Sequence, residues 1–151
     1  MLGRRAEDYL EAIYSLSQKK GYAKVMELAE VLGVKPASVS EMLDKLSQEG
    51  YVNYRKRMHV TLTKKGLKEA EKVREKREIL VKFLRAIGVE EEIAEQDACA
   101  LEHILHPKTL EQLRNFVRFI ESSPAVNPRW LEHFREFCKT GKHPCRREVS
   151  P

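Results

Sequence analysis

Apolar residues at Leu10, Ile13, Tyr14 and Leu16 follow helical spacing, which predicts a first helix over about 5–19, ended by Gly21. Val25–Leu32 forms a second apolar-striped segment stopped at Gly33, a residue that takes the left-handed turn conformation without a steric penalty. Pro36 suits the first position of a third helix, which runs to Gln48 ahead of Gly50. Two short alternating runs, Tyr51–Tyr54 and His59–Thr63, are joined by Arg55–Met58 and predict a β-hairpin, although its turn carries no glycine. A long helix over about 64–87 is closed by Gly88, and further helices are expected over about 90–105, 107–121 and 127–139. Helix, helix, helix, hairpin is the order of a winged helix-turn-helix, and the remainder is helical. The fold expected is therefore mainly α, with a winged helix-turn-helix over 1–63, a helical domain over 64–140 and a flexible tail over 141–151.

Composition narrows the function. A chain of 151 residues has room for one domain or two small ones with a real core. Charged residues make up 34% and hydrophobic ones 42%, which excludes both a disordered chain and a membrane protein. The N-terminal stretch Met1–Asp8 lacks the apolar core of a signal peptide. Three cysteines cannot all pair within one chain, so a reducing, cytoplasmic setting is expected, with thiols free or metal-bound. There is no glycine-rich phosphate loop and no serine nucleophile elbow. The net charge of +5 hides an asymmetry. Lys64–Arg85 holds nine basic residues against four acidic, whereas 86–106 holds six acids and no lysine or arginine. Such a pair of segments suits one surface that meets a polyanion and another that holds a cation.

Ala29, Gly33 and Val39, spaced by four and six, place a small residue where two helices touch, a glycine in the turn and a β-branched core residue beyond it. With Val39, Leu43 and Leu46 buried, the third helix turns Ala37, Ser38, Ser40, Glu41, Asp44 and Lys45 outward. Its N-terminal part, with Lys35 and Pro36, is expected to enter the major groove of double-stranded DNA. The hairpin tip, Arg55-Lys56-Arg57, suits flanking phosphates.

Cys99, Glu102 and His103 fall at i, i+3 and i+4, on one face of a predicted helix. A thiolate, a carboxylate and an imidazole facing one point share a preference for a transition cation. Asp8 and Glu11, at i and i+3, form a second convergent acidic pair on the first helix. His106, before Pro107, reads as a helix cap with an extra ligand as the alternative. His133, Cys138, His143 and Cys145 lie within thirteen residues and form a possible second metal or redox site.

The segments Glu7–Tyr14 (EDYLEAIY), Ala29–Leu43 (AEVLGVKPASVSEML), Leu62–Gly66 (LTKKG), Leu80–Leu84 (LVKFL) and Cys99–His103 (CALEH) together resemble the diphtheria-toxin-repressor and manganese-transport-regulator family of metal-dependent repressors. The resemblance spans residues 4–121. It implies a homodimer in which a winged helix-turn-helix is joined to a helical dimerisation and metal-binding domain, in the short form without an SH3-like domain. It also implies a pseudo-palindromic operator and control of metal-homeostasis genes. A metallohydrolase would need a base near metal-bound water, and with none apparent in the sequence no enzymatic activity is expected. By motif, Asp8 takes the first-helix ligand position and Glu11 the position that can join two metal sites. Glu102 and His103 take the carboxylate and imidazole positions, and Cys99 stands where iron-responsive members have Cys and manganese-selective ones Glu. Arg77 departs from the pattern, since the family normally has His there. An arginine stays protonated and offers no lone pair, so it is expected to pair with Glu11 or a neighbouring carboxylate and to leave a single metal site. Thiolate with imidazole leans toward Fe²⁺, Co²⁺, Ni²⁺ or Zn²⁺ and away from Mn²⁺, and availability in the cell then favours Fe²⁺, with a manganese- or zinc-responsive member as the alternative. The competing function is a winged-helix regulator that senses a small organic ligand or thiol oxidation at Cys99.

Overall fold

Amphipathic helices must bury their apolar stripes, and here they do so in two places. The computed structural model describes residues 2–145, so the last six positions of the expected tail lie outside the described residues. The elements run α1 (Arg4–Lys20), α2 (Val25–Leu32), α3 (Pro36–Gln48), β1 (Val52–Asn53), β2 (Thr61–Leu62), α4 (Lys64–Ala86), α5 (Glu91–Leu101), α6 (Pro107–Glu121) and α7 (Arg129–Thr140). The chain divides between Lys76 and Arg77, within α4, into two compact units.

In the first unit Leu10 and Ile13 of α1, Leu28 of α2, and Val39, Leu43 and Leu46 of α3 are wholly excluded from solvent around one core, which Val60 and Ala70 complete. Gly33 turns the chain between α2 and α3 at φ 65°, its N–H donating to Ala29 and Glu30 carbonyls. The hairpin is shorter than its alternation suggests. Val52 pairs with Leu62 and Asn53 with Thr61, while Val60 exchanges backbone hydrogen bonds of 2.8 and 2.9 Å with Ala23 instead. The second run thus serves two partners, one on each side of Val60. Tyr22 stacks on His59 beside this bridge, with ring centroids 3.7 Å apart. The glycine missing from the turn is replaced by Arg57, which itself takes φ 66°. Gly66 is required by space: a β-carbon there would stand 1.9 Å from the Tyr51 carbonyl oxygen.

In the second unit the far half of α4 packs on α6 through Ile79, Phe83, Leu110, Leu113 and Val117. Phe83, Phe116 and Trp130 form an aromatic chain, with successive centroids 5.8 Å apart, that links α7 to the edge of this core. Ala94 and Ala98 are the fully buried positions of α5, small enough for close packing. This helix ends at Leu101, not near 105 as its spacing suggests. The Ile104 N–H bonds to Leu101 three residues back, tightening the chain. His106 is then extended (φ −64°, ψ 141°), as a residue before proline must be. Likewise α7 starts at Arg129 because Pro128 is its N-cap. Among the described residues no helix is long and apolar enough to cross a membrane.

Candidate functional site

Because α5 stops at Leu101, Cys99 lies on the helix, Glu102 caps it and His103 sits in the following turn. The Glu102 side chain is fully buried, and a carboxylate there needs a cation and hydrogen-bond donors. Arg77 of α4 supplies both. Its Nε donates to Glu102 Oε2 at 3.0 Å and its Nη2 to Oε1 at 2.7 Å, a two-pronged charge-assisted pair. The same Nη2 lies 3.4 Å from Cys99 Sγ. His103 Nε2 stands 3.2 Å from Glu102 Oε1, on a side chain that is 1% exposed. Glu102 is thus one neighbouring carboxylate with which Arg77 pairs. A buried carboxylate and imidazole with an exposed thiol nearby fit a transition cation by donor chemistry, and the guanidinium already fills a cation's role among them. On α1, Asp8 and Glu11 stand at i and i+3, both half-buried.

His106 is the N-cap of α6, its Nδ1 accepting from the Lys108 N–H at 3.1 Å. That role leaves the extra-ligand alternative without support. In the C-terminal cluster, Cys145 Sγ lies 2.9 Å from His133 Nδ1, and the Cys145 N–H donates to His143 Nδ1 at 3.1 Å. Cys138 is an exposed thiol that lies about 140° around α7 from His133, on a different face. Three of the four thus come together around Cys145, with Cys138 on another face of α7.

Along α3, Lys35, Pro36, Ala37, Ser38, Glu41, Asp44 and Lys45 are exposed, and no side chain caps the N-terminal turn. Ser40 is half-buried and accepts from the Tyr54 hydroxyl at 3.3 Å, which ties the start of the wing to α3. Arg55, Lys56 and Arg57 are all exposed at the tip. Two residues were missed at the sequence level. Tyr54 positions the wing, and Arg5 lines a recess of about 340 Å³ with Tyr9, Ser38, Glu41, Met42 and Lys45. The spacing of Arg5 and Tyr9, one helical turn apart on α1, was the available signal for the second.

Known proteins match both units. Residues 1–60 match the family model for the iron dependent repressor N-terminal DNA binding domain. Residues 63–131 match that for the iron dependent repressor metal binding and dimerisation domain. A relative in Lysinibacillus sphaericus (strain C3-41), the HTH-type transcriptional regulator MntR, is 40% identical over 120 residues, 80% of this chain and 86% of the relative. The solved structure of the manganese regulator SloR is 31% identical with a TM-score of 0.65, covering 76% of this chain and 54% of that one. A manganese-dependent transcriptional repressor in complex with manganese is 26% identical with a TM-score of 0.70, covering 82% and 57%. The chain thus spans just over half the length of those two structures. These relatives are regulators rather than enzymes. Matched in both halves, the chain belongs to the diphtheria-toxin-repressor and manganese-transport-regulator family of metal-dependent transcriptional repressors.

Proposed function

We propose that this repressor senses one divalent transition ion per chain, with Asp8, Cys99, Glu102 and His103 as ligands and Glu11 beside them, and that it controls metal-homeostasis genes in the cytoplasm. The observation that carries the reading is the buried Glu102 carboxylate beside the His103 imidazole, paired with a guanidinium that also touches the Cys99 thiol. A bound ion would offset the mutual repulsion of the ligand carboxylates. Without it, the carboxylates of Asp8 and Glu11 have one fewer reason to hold a fixed place, and the population shifts toward other arrangements. As a family member the chain binds operator DNA and dimerises, and in this reading a two-fold dimer meets a pseudo-palindromic site. Lys35, Pro36, Ala37, Ser38, Ser40, Glu41 and Lys45 face the major groove, and Arg55, Lys56 and Arg57 bind phosphate.

Cys99 favours a softer ion than Mn²⁺, a preference that Fe²⁺, Co²⁺, Ni²⁺ and Zn²⁺ share, and we assign Fe²⁺ among them because availability in the cell, rather than raw affinity, decides. Manganese is the second reading, favoured by the relatives named MntR. Anaerobic titration of Fe²⁺ and of Mn²⁺, each followed by operator binding, separates the two. Half-saturation of DNA binding at lower free Fe²⁺ than free Mn²⁺ supports the first assignment, and the reverse order replaces it. If operator binding ignores both ions and responds to peroxide, the metal reading fails, and loss of that response in Cys99→Ala but not in Cys138→Ala or Cys145→Ala makes Cys99 the redox sensor.

A further inference from the structure

The guanidinium of Arg77 uses the same donor atoms that a metal ion would need. Both Glu102 oxygens accept from it, and it lies against Cys99 Sγ. A guanidinium on both Glu102 oxygens takes up part of the lone-pair capacity that an ion would draw on, and two cations held a few ångströms apart repel. The two partners differ in freedom. The Glu102 side chain is fully buried, whereas that of Arg77 is 23% exposed. The carboxylate is therefore held and the arm is the part that can leave, toward water that solvates its charge. Arginine keeps its proton throughout the accessible pH range, so only displacement can remove this cation.

We propose that Arg77 is a built-in competitor for the metal site: its guanidinium occupies Glu102 and Cys99 until an ion displaces it, and so raises the free-metal concentration at which the repressor loads. This rests on Glu102 and Cys99 being ligands, as proposed above. A histidine at this position would add a donor. The arginine subtracts two or three, and its effect is on threshold rather than on the identity of the ligands.

The test is anaerobic Co²⁺ titration of the full chain, read by the visible d–d bands and the thiolate-to-metal charge-transfer band, with no DNA present. Arg77→Gln should bind Co²⁺ about ten- to a hundredfold more tightly than the wild type, because the competing charge-assisted bonds are gone. Arg77→Lys, which keeps the charge but loses the fork, should fall between them and carries the test if the glutamine variant does not fold. In a Glu102→Gln background the advantage of Arg77→Gln should collapse. Equal or weaker Co²⁺ binding by Arg77→Gln and Arg77→Lys, while Glu102→Gln still weakens the wild type, overturns the competitor and leaves the ligand assignment intact. If neither Glu102→Gln nor Cys99→Ala weakens Co²⁺ binding in any background, the ligand assignment itself falls, and the competitor with it.

Discussion

Arg57 carries two demands that oppose each other. Its left-handed backbone (φ 66°) costs a side-chain-bearing residue about 1–2 kcal/mol. A glycine would relieve that cost but lose about 0.5–1 kcal/mol in the unfolded chain, which leaves a small net gain. Retaining arginine makes sense if its charge is used, and the exposed tip suits that use. Arg57→Gly should therefore stabilise the protein by about 0.5–1 kcal/mol in denaturant titration. The same variant should bind operator more weakly and flatten the log–log salt dependence by roughly 0.9, the share of one phosphate that the side chain neutralises. An unchanged slope would remove Arg57 from the interface. At the same scale, Arg77 shows where reading from residues reached its limit. That arginine could not be a ligand followed from its chemistry alone. That it would choose Glu102 and Cys99 depended on where α5 ended, which residue chemistry does not contain.

Helices with a long apolar stripe were legible because each position repeats the same message: α3 and α6 begin and end where Pro36, Gln48, Pro107 and Glu121 suggest. The hairpin was legible only as a hairpin. Two residues per strand give too little alternation to set a register, and the Val60–Ala23 bridge that shortens it comes from a loop distant in sequence. The end of α5 was similarly hidden, since Cys99, Glu102 and His103 keep helical spacing while the turn tightens beneath them. Element junctions also hold charge. Glu27 reaches back from α2 to accept from the Lys24 N–H at 2.9 Å and pairs with Lys20 at the end of α1. The Lys20 hydrogen bond, helped by the Lys24 N–H, holds its carboxyl below the ordinary value of 4.5. A carboxyl depressed in the folded state adds stability above its unfolded pKa, and that contribution is lost as pH falls through the folded one. Glu27→Gln should accordingly lower the thermal midpoint at pH 7 while the gap to the wild type closes on acidification below about pH 4.5. A gap that stays constant with pH would show that the junction is held by shape rather than charge.

At the scale of the whole molecule, dimerisation and metal sensing draw on different surfaces in this reading. The second unit carries apolar surface suited to a permanent interface: Ile93 is 48% exposed, Ile104 71% and Phe119 61%. A chain left with this much large apolar surface in water gains by covering it with a second copy, and burial of that kind does not depend on a metal. The proposed ligands, by contrast, are drawn from the carboxylates of α1 and from the end of α5. An ion there biases the arrangement of each chain without being needed to hold two chains together. Sedimentation should therefore find a dimer at micromolar concentration both with chelator and with saturating metal, while operator binding changes between the two conditions. Ile104→Glu, which places a charge in the apolar surface, should shift the chain toward monomer in both conditions and weaken operator binding even when metal is present. A monomer in chelator that dimerises on adding metal would mean that the ion builds the interface itself, and the division of labour between the two units would have to be redrawn.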